Sequence, residues 1–124
     1  MAQLASKNID QEPAAPAPAI DRGQLARMTF GDRNLEREVL QLFDRQAAIL
    51  IERMRNGDAA AIGSLAHTLK GSATGIGAQN VARAADVAEF TAGAGAAECS
   101  RALDRLAQAV DEARALIAEL LIAA

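Results

Sequence analysis

His67 is the only histidine in the chain, and the residues three and four positions after it could support chemistry at its ring. Lys70 and Gly71 occupy those positions, so on a helix both lie beside the imidazole. Imidazole is a nucleophile near neutral pH and can accept and return a phosphoryl group. Such a transfer needs an open approach and positive charge near the phosphoryl oxygens. The spacing therefore predicts a phosphoryl carrier, although Lys70 by its position alone also fits an ordinary solvated lysine.

Glycines surround His67 in a segment that otherwise favours helix. Gly63 lies one turn before the histidine, Gly71 one turn after it and Gly75 one turn further. Each glycine inside a helix costs roughly 1 kcal/mol relative to alanine, a residue that this chain uses freely elsewhere. Because glycine has no side chain, the surface around the imidazole is left open, so that a bulky partner can reach a ring nitrogen. Gly75 has an alternative role, because together with Gly77 it can simply end the helix.

The segment from Asp58 to Ile76 is the predicted helix that positions this group. At 100° per residue, His67 points roughly 175° away from the mean direction of the apolar side chains. The histidine should therefore be exposed and not part of the core. The apolar stripe on the opposite side consists of Ile62, Leu65, Leu69, Ala73 and Ile76.

The rest of the chain also favours helix, since alanine dominates and the aromatic residues are three phenylalanines, with no Trp or Tyr. The predicted fold is all-α: an antiparallel up-down four-helix bundle with a short extra N-terminal helix. The other helices are predicted over 21–28, 32–56, 78–91 and 96–122. Their expected apolar positions include, in the second helix, Leu35, Val39, Leu42, Phe43, Ile49, Leu50 and Met54, and in the fourth, Val81, Ala84, Ala85, Ala88 and Phe90.

Residues 1–20 are predicted to be a disordered Ala/Pro-rich N-terminal tail, because Pro13, Pro16 and Pro18 alternate with alanines and no apolar periodicity is present. Residues 21–124 form the predicted domain. The chain begins with Met and ends soon after the last helix, so we expect a free-standing protein. We also expect a monomer, because one bundle can bury all of the apolar stripes.

Composition argues against several other classes of protein. The net charge is −3 with no basic block, which does not support nucleic-acid binding. No secretory signal and no apolar run long enough to span a membrane is evident, so we expect a cytoplasmic protein. Cys99 is the single cysteine and cannot form an internal disulfide. One histidine without an ExxH motif also argues against a metal site in the bundle.

Residues 66–77 read AHTLKGSATGIG, which closely resembles the signature of histidine-containing phosphotransfer (HPt) domains. The Phe30-Gly31-Asp32 turn and the helices on either side of the motif are similar to that family too, so the resemblance covers about residues 21–122. It implies a four-helix bundle in which His67 is phosphorylated on Nε2. It also implies that Lys70 neutralises the phosphoryl group and that Gly71 clears the surface beside His67.

The resemblance further implies the partners: receiver domains of response regulators, of hybrid histidine kinases or of both, in bacterial two-component phosphorelays. The chain would accept a phosphoryl group from one receiver's aspartyl phosphate and pass it to another receiver. It would have no ATP site and bind no cofactor, because the receiver would supply Mg²⁺ and most of the catalysis. The expected docking face consists of an apolar patch on the second helix, whose members periodicity does not identify, together with Ser64, Thr68, Gly71 and Gly75.

Glu89 is a finer inference from the same resemblance. It lies on the fourth helix, where a Gln or Glu in this family contacts the imidazole, so it could accept a hydrogen bond from Nδ1–H and orient the ring. A solvated helix residue is the alternative for Glu89. Two alternatives also stand for the whole chain. It could be a phosphotransfer module of a hybrid or chemotaxis-type histidine kinase, or a helical scaffold without phosphochemistry.

Overall fold

The computed structural model describes residues 17–123, and these form five helices without any strand. The predicted all-α fold is confirmed, and the bounds of the helices lie close to those expected. The helices are α1 (Arg22–Met28), α2 (Arg33–Arg55), α3 (Ala59–Ile76), α4 (Gln79–Thr91) and α5 (Ala96–Ala123).

Aspartates begin the first three helices. The carboxylates of Asp21, Asp32 and Asp58 accept hydrogen bonds from the backbone N–H three residues further on, at 3.1, 3.0 and 2.9 Å. Each bond satisfies an amide that has no partner inside its helix, and the negative charge favours the positive end of the helix dipole. These caps explain why the helices start where the sequence predicts.

Gly77 ends α3 and fixes the position of α1. Its φ of 83° is in the left-handed region, which favours glycine. A Cβ at this position would lie 2.8 Å from the carbonyl oxygen of Asp21. The Gly77 carbonyl in turn accepts a hydrogen bond of 2.8 Å from the Asp21 amide. The close approach of the two backbones at this point anchors the short helix α1 against the end of α3.

The four long helices form a closed ring around one core. α2 packs on α3, α3 on α4, α4 on α5 and α5 on α2, while α1 packs on α3. The connections at residues 56–58, 77–78 and 92–95 are short, so consecutive helices run antiparallel. Alanines at the contacts let the helices approach closely. The fully buried side chains of this core include Leu25, Ala47, Met54, Ala66, Leu69, Ala73, Val81, Ala85, Leu106 and Ala113.

Four residues predicted to be part of the apolar core stripes are exposed. Leu35, Leu42 and Ile49 of α2 are 36%, 58% and 51% exposed, and Phe90 of α4 is 87% exposed. The buried face of α2 is narrower than its apolar face, because Phe43, Leu50 and their neighbours already fill the contact with the core. Leu42 and Ile49 lie beside that line, so their placement in the core was wrong, as was that of Leu35 and Phe90.

The folded part of the chain begins before residue 21. Ile20 is buried in the core, and the carbonyl of Ala17 accepts a hydrogen bond of 3.3 Å from the side chain of Asn80. The domain therefore includes part of the segment that we assigned to the tail. The prediction of disorder for residues 1–16 lies outside the described residues.

Candidate functional site

His67 lies in the middle of α3 and points away from the core. Its side chain is 66% exposed, whereas Ala66 and Leu69 on the opposite face are fully buried. Helix geometry alone predicted this direction, and the prediction is confirmed.

One ring nitrogen of His67 is held by the neighbouring helix. Nδ1 lies 3.0 Å from Oε2 of Glu89 on α4. An ionised carboxylate only accepts hydrogen bonds, so in the neutral form of the ring Nδ1–H donates to Glu89 and Nε2 carries the lone pair. Nε2 makes no hydrogen bond among residues 17–123, and the side chain that carries it is mostly exposed. The arrangement presents a nucleophilic nitrogen whose ring is fixed in orientation.

Two carboxylates bind Lys70, one turn along from His67. Its Nζ lies 3.0 Å from Oδ1 of Asp86 and 3.4 Å from Oε1 of Glu89. The hydrogen bond to Asp86 raises the pKa of the Lys70 ammonium above its usual value, and the charge of Glu89 acts in the same direction while partial burial opposes it. Lys70 therefore stays charged at neutral pH.

Glu89 connects the histidine and the lysine. Its Oε2 faces His67, whereas its Oε1 is shielded from solvent and makes no hydrogen bond of good geometry within the described part of the chain. The Lys70 ammonium lies 3.4 Å from this oxygen and stabilises it only through its positive charge. Glu89 was predicted as a contact of the imidazole solely by family resemblance, and the structure brings the two side chains together.

Small residues form a row along α3 beside the imidazole. Ser64, Thr68, Gly71 and Gly75 are all exposed. A Cβ added at Gly71 or Gly75 would meet nothing within 4 Å. Packing inside the domain therefore does not require either glycine, and the space above this row is open to a partner.

A shallow groove between α2 and α3 runs beside this row. Leu42 and Ile49 line it from α2, and Leu65 and Thr68 line it from α3. The arginines at positions 45 and 53 also line the groove. The apolar patch expected on the second helix is thus identified by its exposure. Spacing in the sequence could not have identified it, because the buried Phe43 and Leu50 are also seven residues apart.

Asp86 is the member of the site that the sequence analysis did not single out. It lies three residues before Glu89, on the same face of α4, and both carboxylates reach Lys70. That spacing was visible in the sequence. The partner of Asp86 was not, because the pair depends on how α4 packs against α3.

Other kinds of site find no support in residues 17–123. No group of three or more His, Cys, Asp or Glu side chains is arranged to hold a metal ion there. Among the helices of this part of the chain, none has the length and apolar character needed to cross a membrane. Cys99 is a free, half-buried thiol on α5.

Comparison with known proteins adds two findings. No curated protein matches the chain in sequence. A solved structure described as a histidine-containing phosphotransfer protein from rice superposes with a TM-score of 0.75 at 20% identity, covering 96% of this chain and 86% of the rice chain. At this identity the likeness concerns the fold alone. The fold thus occurs outside bacteria, so a bacterial source stays a prediction.

The family of the chain follows from a sequence model. The Hpt domain model matches residues 37–116, which is more than half of the chain and includes His67, Lys70 and Glu89. The protein therefore belongs to the Hpt domain family, the phosphotransfer carriers that interact with receiver domains in two-component phosphorelays.

Proposed function

We propose that His67 accepts a phosphoryl group from the aspartyl phosphate of one receiver domain and passes it to another receiver. The observation that carries this proposal is the geometry of the ring. Nδ1 lies 3.0 Å from Oε2 of Glu89, Nε2 is free of hydrogen bonds within the described residues, and the side chain is 66% exposed. A carrier needs such a nitrogen, because its partner must approach in line with the bond that forms.

The transfer step conserves atoms and charge as follows. The Nε2 lone pair attacks phosphorus, the N–P bond forms, and the bond between phosphorus and the aspartate oxygen of the receiver breaks. The ring then carries a positive charge, which it shares with Nδ1–H, and the carboxylate of Glu89 stabilises that charge. Onward transfer reverses the step on a second receiver. Because Glu89 holds the proton on Nδ1, Nε2 attacks with its lone pair in one direction and leaves as part of a neutral imidazole in the other.

Lys70 is the cation of this chain nearest to the proposed phosphoryl site along α3. Its ammonium is a compact charge on a flexible stem, which suits contact with phosphoryl oxygens in different positions. The receiver is expected to contribute Mg²⁺ and most of the catalysis. In this function the protein acts as a cytoplasmic monomer without an ATP site of its own.

The receiver is proposed to dock over α2 and α3. Ser64, Thr68, Gly71 and Gly75 form one row of the docking face, and the exposed Leu42 and Ile49 contribute the apolar row beside it. The small residues allow close approach to the ring, while the apolar side chains provide area that a partner can bury.

The test is transfer of labelled phosphate from a phosphorylated receiver domain with Mg²⁺ to the wild-type protein and to His67→Gln. We expect label on the wild type alone, and the product should be acid-labile and alkali-stable, as phosphohistidine is. A His67→Gln variant that keeps its fold and is labelled to the wild-type level would refute the proposal and favour the scaffold interpretation. Phosphoramidate, a small phosphodonor, serves as a second donor that does not depend on choosing the right receiver.

A further inference from the structure

Lys70 is bound on the side of α4 in the unphosphorylated protein. Its shortest contact is with Asp86 at 3.0 Å, and Asp86 makes no other salt bridge among the described residues. The Asp86 side chain is 65% exposed, so it does not fill space in the core. Asp86 can therefore influence the site around His67 through its contact with Lys70.

The contact between Lys70 and Asp86 competes with two other acceptors for the Lys70 ammonium, and the first of these is Glu89. Oε1 of Glu89 is buried without a good hydrogen bond, and the Lys70 ammonium stands 3.4 Å from it. An ammonium has three donors and could serve Glu89 and a phosphoryl oxygen on His67 together. The bond to Asp86 occupies one donor and holds the ammonium at the carboxylate on α4.

We infer that Asp86 is a positioning residue that holds Lys70 back from the phosphoryl group on His67 and thereby keeps that group easy to transfer. The inference rests on the proposed function of His67. The phosphoryl oxygens must compete with Asp86 for the ammonium, so phosphohistidine gains less stabilisation from Lys70 than it would without Asp86. A carrier benefits from this restraint, because a tightly held phosphoryl group does not move on.

The first measurement is the equilibrium between a phosphorylated receiver and this protein, taken as the ratio of labelled species after transfer in both directions. Removing the charge in Asp86→Asn should move the equilibrium toward phosphorylated His67 by about two- to fivefold, the size of one exposed charged contact. Asp86→Glu keeps the charge and should stay close to the wild type. Asp104→Asn is the matched control, since Asp104 is 68% exposed and pairs with Arg55 at 3.5 Å on α5 and α2.

The second measurement asks whether Asp86 acts through Lys70. In a Lys70→Met background, most of the effect of Asp86→Asn should disappear. The ¹⁵N signal of the Lys70 ammonium should also move further on phosphorylation in Asp86→Asn than in the wild type. Phosphoramidate provides the phosphorylated protein for that spectrum without any receiver.

The outcomes separate this inference from the proposed function. An unchanged equilibrium in Asp86→Asn, or an equal shift with and without Lys70, would overturn the role of Asp86 while labelling of the wild type still supports His67 as the acceptor. Failure of both donors to label the wild type would refute the proposed function, and the inference would fall with it. A shift in Asp86→Asn that needs Lys70 and is absent in both Asp86→Glu and Asp104→Asn supports the inference.

Discussion

At the scale of single residues, Glu89 is the side chain that makes His67 more than an exposed imidazole. Its Oε2 bonds to Nδ1 and its Oε1 faces Lys70, so one carboxylate orients both the nucleophile and its nearby cation. An unrestrained imidazole would exchange between two tautomers, and only one of them offers a lone pair at Nε2.

The orienting role of Glu89 gives a direct prediction for the ring. In Glu89→Ala, we expect the Nε2–H tautomer of neutral His67 to become populated and phosphoryl transfer to slow by about tenfold, at the lower end of what a well-placed proton partner contributes. Glu89→Gln can still accept from Nδ1–H and should keep the tautomer with an intermediate rate. ¹⁵N NMR of the ring reports the tautomer, and an unchanged spectrum in both variants would count against the role.

At the scale of the helix, α3 combines two opposite requirements on its two faces. The inner face is filled by residues such as Leu69 and Ala73, which are fully buried. The outer face carries glycines whose missing side chains no neighbour in the domain replaces. Helix stability alone would favour alanine there, so access to His67 is the physical reason that we assign to Gly71.

Gly71→Ala should therefore affect stability and transfer in opposite directions. The free energy of unfolding should rise by roughly 0.5–1 kcal/mol, because the added Cβ meets no atom within 4 Å and alanine favours helix. Transfer from a receiver should fall by about tenfold, since a methyl group intrudes on a packed contact. Chemical denaturation and labelled transfer measure the two effects.

Two controls sharpen this prediction. Phosphoramidate is small, so its reaction with Gly71→Ala should proceed as with the wild type. Gly23→Ala adds a methyl group to α1, where the nearest atom is 3.4 Å away, and should leave transfer unchanged. Wild-type transfer by Gly71→Ala would show that the glycine has no role in docking.

At the scale of the whole molecule, the ring of four helices decides which apolar residues remain for a partner. Each long helix contacts two other long helices, so its buried face is divided between them and side chains at the edges stay outside. The edge of α2 beside α3 leaves Leu42 and Ile49 next to the row of small residues near His67. On the outside of α4, Val87 and Phe90 are also exposed.

The two exposed apolar surfaces allow a matched test of docking. Ile49→Ser should raise the KM for a phosphorylated receiver by about tenfold, as loss of a central apolar contact does, with little change in kcat. Val87→Ser is the control, because Val87 is 50% exposed against 51% for Ile49 and lies on α4 instead of α2. Equal effects of the two substitutions on KM would contradict docking over α2 and α3.

Neither substitution should disturb the fold. Surface changes of this kind usually alter the free energy of unfolding by no more than about 0.5 kcal/mol. Thermal unfolding of the two variants and unchanged labelling by phosphoramidate would confirm that a higher KM reflects binding of the receiver.

The sequence by itself determined the helices and the direction of His67. The Asp caps and Gly77 act on backbone groups within one to four residues, and the apolar periodicity of α3 sets the face that is buried. Both signals are local, so they can be read from the sequence without knowing where the other helices lie. The motif around His67 also predicted the family, because its residues lie on one segment.

Only the tertiary structure decided the contacts between helices. The bond of Lys70 to Asp86, the 3.0 Å approach of Glu89 to Nδ1 and the exposure of Leu42 and Ile49 all depend on how α3 rotates against α4 and α2. Periodicity identifies an apolar face but not its width, because the width that is buried depends on where the neighbouring helices touch. The polar network that orients the His67 ring therefore depends on how the helices pack, whereas the exposure of His67 follows from the apolar periodicity of α3 alone.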